Sequence, residues 1–128
     1  MLRVVKIPVS IYNLELVVLV GQQDEAQKWC VRNNFPGTDI EDCEYMYDAL
    51  TVYNGSTFVI WAEMFDWTIG SQVTMAHELE HACVKMLGII GIPILPDNHE
   101  ALAYLYGYLF GELWNKLKPK VKKKCKKK

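Results

Sequence analysis

Apolar positions in this chain follow two different periods, and the change from one to the other marks out its elements. Residues 4–20 are dense in valine, leucine and isoleucine, interrupted at Pro8 and at Tyr12-Asn13, which predicts two strands joined by a turn. After Gly21, residues 23–33 place Ala26, Trp29 and Cys30 on one side of a short amphipathic helix, and Asn33-Asn34 and Pro36-Gly37 stop it. Residues 37–48 are acidic and turn-rich, and read as an exposed connection. Residues 49–53 and 56–61 flank Asn54-Gly55, the pair best suited to the two positive φ angles of a tight turn, so a β-hairpin is expected.

Beyond it the period becomes helical. Met75, Leu79, Ala82, Cys83, Met86 and Ile90 recur at helical spacing and predict a long helix from Gly70-Ser71 to about Ile90. Gly91-Ile92-Pro93 ends that helix, and Pro96-Asp97-Asn98 offers a cap for a second one over residues 99–117. The apolar face of this second helix is read as Leu102, Tyr106, Leu109, Phe110, Leu113 and Leu117. Pro119 closes the folded part. The expected fold class is α+β: a small, twisted, mainly antiparallel sheet covered by the long helix, with the C-terminal helix behind it.

Length and composition agree with one folded unit. A chain of 128 residues, 51% apolar, buries about two thirds of its unfolded surface in a single core. Residues 1–117 form that domain, and residues 118–128 read as a basic, disordered tail. The net charge of −1 hides an asymmetry: residues 116–128 carry nine lysines and no acid, leaving five basic and fifteen acidic side chains elsewhere. A weak contact with polyanions through the tail is therefore expected. The aromatic set Tyr104, Tyr106, Tyr108 and Trp114 reads as helix packing, since no nucleic-acid recognition spacing accompanies it. No run is long and apolar enough for a membrane span, and no export signal opens the chain. Cys30, Cys43, Cys83 and Cys125 lack C-x-x-C spacing, so free thiols in a reducing cytoplasm are expected.

One segment of the long helix carries chemistry. Residues 77–81 read His-Glu-Leu-Glu-His, an H-E-x-x-H motif. Histidines four apart on a helix lie one turn apart on one face, the separation needed to hold one metal ion from both rings. His77 and His81 lie opposite the apolar stripe, and Glu78, about 100° round from His77, borders their face as a candidate general base. The same motif arises by chance on solvent-facing helices, but the chain has only three histidines and two of them stand here. A catalytic zinc site takes three protein donors and an open position. Glu100, separated from His81 by eighteen residues and placed in the first turn of the next helix, is the candidate third donor, with His99 its main rival.

At this point the chain resembles the gluzincin branch of the zincin metallopeptidases, in which H-E-x-x-H is followed by a glutamate ligand on a downstream helix. The eighteen-residue gap is similar to that of aminopeptidase-type gluzincins. The run Asn98-His99-Glu100-Ala101-Leu102-Ala103 looks like their N-E-x-x-A neighbourhood with one residue inserted. The size is similar to that of minimal single-domain gluzincins and of small zincin-like proteins carried by phages. The resemblance covers residues 67–113. It departs from thermolysin-like members at Tyr104, where they carry an aspartate, so the group that orients His77 must come from elsewhere.

The resemblance implies a zincin-like peptidase in which His77, His81 and Glu100 hold Zn²⁺ and Glu78 takes the proton of the attacking water. Tyr104 and His99 flank Glu100 and are candidates for stabilising an oxyanion or supporting a ligand. It also implies an edge strand within residues 58–63 able to pair with an extended peptide substrate. Gly107 and Gly111 share the Glu100 face of their helix and are expected to let two helix backbones approach closely. Two other classes stay open. One is a zincin-fold regulatory or binding protein with little turnover, suggested by the small size; the other is a nucleic-acid-associated factor using the lysine tail.

Overall fold

The computed structural model describes residues 1–35, 49–97 and 99–118. The expected acidic connection and nearly all of the lysine tail, with Cys43 and Cys125, fall outside those residues. So does Asn98, one of the three residues expected to cap the C-terminal helix.

Strand β1 (Arg3–Val9) and strand β2 (Leu14–Val20) pair antiparallel, with Arg3 opposite Val20 and Val9 opposite Leu14. A single 3-10 turn over Ser10–Tyr12 joins them, and Asn13 takes the left-handed conformation at φ 55°, which asparagine tolerates better than most residues. Pro8 lies in β1, at the sheet edge, where its missing N–H costs no interior ladder bond. Helix α1 (Gln23–Arg32) follows, with Asp24 and Glu25 in its first turn and Arg32 in its last, the charge order favoured by the helix dipole.

The second hairpin pairs β3 (Ala49–Asn54) with β4 (Thr57–Ala62). Its turn is displaced by one residue from the expected pair. Asn54 lies opposite Thr57, so Gly55 and Ser56 make the turn, and Gly55 supplies the positive φ of 62°. Glycine in the first central position is the other favoured hairpin chemistry. The sheet order is β1-β2-β4-β3, and the two central strands β2 and β4 run parallel. The sheet is thus mixed, with two antiparallel pairings flanking one parallel pairing.

This order corrects the expectation that residues 58–63 form an edge strand. Strand β4 is interior, and β3 is the edge on that side. The reason is visible in its side chains: Phe58, Ile60 and Ala62 enter one core while Val59 and Trp61 enter the other, all buried. A strand covered on both faces is apolar throughout and does not alternate. Strand β2 behaves alike, with Leu14, Leu16 and Val18 on one side and Val17 and Leu19 on the other.

Three layers result. Helix α1 covers one sheet face through Ala26 and Cys30, joined by Phe35. Helix α2 (Ile69–Ile89) and helix α3 (Glu100–Leu117) both cover the other face. The fold is a small α+β domain, and α3 lies beside α2 over the same sheet face. Met75, Leu79, Ala82, Cys83 and Met86 of α2 are buried as the spacing predicts. In α3 the buried line is Leu105, Leu109, Leu113 and Leu117. Phe110, assigned to that face from the sequence, is 37% exposed and stacks on Trp114 at 3.9 Å between ring centroids.

The same rotation of α3 overturns the role expected of its glycines. Gly107 and Gly111 are exposed, and a Cβ built on either meets nothing within 4 Å. They permit no close helix approach, because the leucine line sets the contact face and leaves them outside. With helical backbone and free space at both sites, Gly107→Ala and Gly111→Ala should each stabilise the domain by about 0.5–1 kcal/mol. Thermal unfolding of each single variant checks this, and a fall in Tm would restore the packed-glycine face.

Candidate metal centre

Helix α2 is set by a chain of local bonds at its start. Thr68 is the N-cap, its hydroxyl oxygen accepting from the Ser71 N–H at 3.3 Å, while Asp66 accepts from the Thr68 hydroxyl at 2.7 Å and from the Thr68 N–H at 3.1 Å. These bonds, led by the Thr68 hydroxyl, hold the Asp66 carboxyl below its ordinary range. The expected start at Gly70-Ser71 therefore moves back to Ile69, with the capping signal in Asp66 and Thr68.

Trp67 fastens this start to the far end of α3. Its backbone takes φ 66°, a costly conformation for a bulky residue. It is held there by the indole N–H donating to the Leu117 carbonyl at 2.8 Å and by Gln72 donating to the Trp67 carbonyl at 2.8 Å. Phe65 and Trp114 pack edge-on against the same indole, at 5.0 Å and 6.3 Å. No sequence signal pointed to Trp67, since positive φ is not a preference of tryptophan.

With this end of the helix pair anchored, α2 presents His77 and His81 on its exposed face. Their Nε2 atoms are 3.0 Å apart and the rings stand at 84° to each other. For two neutral imidazoles that contact is a hydrogen bond in which one ring donates and the other accepts. It is also close to a chelating geometry. Two nitrogens bound to one zinc at their usual distance, with a tetrahedral angle between them, stand about 3.3 Å apart. The nitrogen separation is thus within a few tenths of an ångström of a chelating one, and metal binding would also turn the rings so that both lone pairs meet at the ion.

No protein-family model, curated protein or solved structure matches the chain.

The remaining candidates lie around the pair as follows. Glu78 is only 8% exposed, the one buried charged residue among those described. Glu100 is exposed in the first turn of α3, and its helical position puts it on the outward face with Gly107 and Gly111. Among the described residues no group of three His, Cys, Asp or Glu side chains stands together as a metal donor set. The structure therefore brings together His77 and His81 and leaves Glu100 apart from them.

Tyr104 is 76% exposed on the outward side of α3. His99 is the N-cap of α3 without a side-chain capping bond, and with Glu80 and Tyr106 it lines an open depression between the two helices. Tyr106, read from the sequence as apolar packing alone, donates a long hydrogen bond of 3.4 Å to the Ala76 carbonyl. Its hydroxyl pKa is raised, chiefly by burial. The Cys83 thiol, also buried, is pushed up to about 12 by desolvation and the neighbouring Glu80 charge. It stays protonated at neutral pH. No helix among the described residues is long and apolar enough to cross a membrane.

Proposed function

We propose that this chain is a zinc-dependent peptidase of the gluzincin type, with His77 and His81 holding the metal, Glu100 completing the donor set and Glu78 acting as general base. The observation that carries the reading is the 3.0 Å separation of the two Nε2 atoms on an exposed helix face. The zinc ion, when bound, supplies Lewis acidity that makes water a competent nucleophile near neutral pH and polarises the peptide carbonyl.

The chain's own residues do the rest. Glu78 follows His77 directly in the sequence and is held in a buried position, which limits the orientations of its carboxylate. It accepts a proton from the water that attacks the carbonyl carbon, and returns one to the amine as the C–N bond breaks. Glu100 stands at the end of the connection between α2 and α3. Glu100 would complete the donor set only if the first turn of α3 moved toward the pair, a change to which the free energy of metal binding could contribute. His99, the other donor in that turn, faces the depression shared with Glu80.

Zinc titration of variants tests this assignment. Glu100→Gln should weaken zinc binding by at least about tenfold, because the amide lacks the anionic charge, whereas His99→Ala should leave the affinity close to that of the parent. The reverse order would transfer the third-donor role to His99.

A further inference from the structure

The depression between α2 and α3 is not used by the chemistry above. It has a volume of about 330 Å³ and is lined by Glu80, His99, Leu102, Ala103 and Tyr106. That volume is at the small end for ligand sites, suited to one side chain or a fragment of a larger ligand. Among the described residues, Glu80 is the only carboxylate on its wall, and no lysine or arginine lines it. Leu102 and Ala103 give an apolar surface, and Tyr106 adds an aromatic ring.

An apolar surface beside one carboxylate and one aromatic ring is the complement of a side chain with an aliphatic stem and a cationic head. Glu80 also follows His77 by three residues on α2, a spacing that makes the two side chains neighbours on the helix surface. We infer that this depression binds a lysine or arginine side chain, with Glu80 taking the cationic head, and that it selects substrates carrying such a residue next to the bond that is cleaved. The second half of this inference rests on the peptidase reading; the cation site itself does not.

Two measurements on the full chain separate these parts. The first is titration with n-butylguanidinium in the presence of a chelator, followed by the amide resonances of α2 and α3, so that metal coordination plays no part. The parent should bind the probe, Glu80→Gln about fivefold more weakly, in keeping with one partly exposed ion pair. Ala103→Trp, which fills the depression without changing charge, should not bind it. Asp24→Asn, on the opposite sheet face, should match the parent. Equal binding by all four chains, or equal weakening by Asp24→Asn and Glu80→Gln, would overturn the site.

The second measurement is cleavage of a peptide mixture by the zinc-loaded chain. Peptides with lysine or arginine beside the cleaved bond should show about fivefold higher kcat/KM than their glutamine counterparts. Glu80→Gln should lose that preference, and Glu80→Lys should invert it toward glutamate. Cleavage without any preference would overturn the selectivity and leave the peptidase reading intact. Probe binding without cleavage of any peptide would uphold the cation site and count against the peptidase reading.

Discussion

Glu78→Gln should abolish peptide hydrolysis, by about 10²-fold or more, while zinc content and Tm remain near those of the parent. The substitution keeps the size and shape of a side chain that is only 8% exposed and leaves His77 and His81 untouched. It removes the group that, in the proposed mechanism, accepts the proton of the attacking water. A loss confined to kcat and kcat/KM in parallel is the kinetic mark of an interaction made in the transition state. Loss of zinc from the variant would instead make Glu78 a metal donor. Undiminished turnover would require a different base, and the proposed mechanism would fall.

Phe58→Ala should destabilise the domain by about 3–5 kcal/mol, a large share of the roughly 5–15 kcal/mol typical of a folded domain. Phe58 is fully buried on interior strand β4, in the core that also receives α2 and α3. Truncating it opens a cavity between the sheet and the helix that carries the histidines. The midpoint of urea unfolding reads this directly. A cost below about 1 kcal/mol, the scale of an ordinary surface substitution, would put residues 57–62 back at an edge.

The misplacement of that strand shows which part of the fold local pattern can carry. Phe58, Val59, Ile60, Trp61 and Ala62 form an unbroken apolar run, which marks a strand with both faces covered. The family resemblance, and not the pattern, had suggested an edge. Helix α2 was legible because Met75, Leu79, Ala82, Cys83 and Met86 repeat a single face, and that face is buried. Helix α3 was located correctly but turned about its axis. Counting Phe110 into its apolar face and omitting Leu105 moved the supposed contact toward Gly107, whereas the leucine line decides the packing. The Gly55-Ser56 turn was off by one because strand register, which selects the turn residues, is a property of two strands together.

The site divides along the same line. His77 and His81 were legible because their relation is internal to one helix, and four residues of helix place two rings together wherever that helix packs. The third donor depends on how α3 sits beside α2, which is set by the connection between them and by the Trp67 and Leu105 contacts. Spacing in the chain does not encode that, and Glu100 accordingly stands outward in the structure, apart from the pair. The depression at Glu80 was equally hidden, since it exists only where two helices meet.

Metal analysis of protein purified without chelator and reconstituted with zinc shows whether the histidine pair holds the metal. The parent should retain about one zinc per chain after removal of excess metal, as expected for one three-donor site. His77→Ala should retain almost none, with its circular dichroism unchanged because His77 is exposed and buries nothing. A parent chain that keeps no zinc, or a His77→Ala chain that keeps as much as the parent, would mean that the histidine pair is not a zinc site.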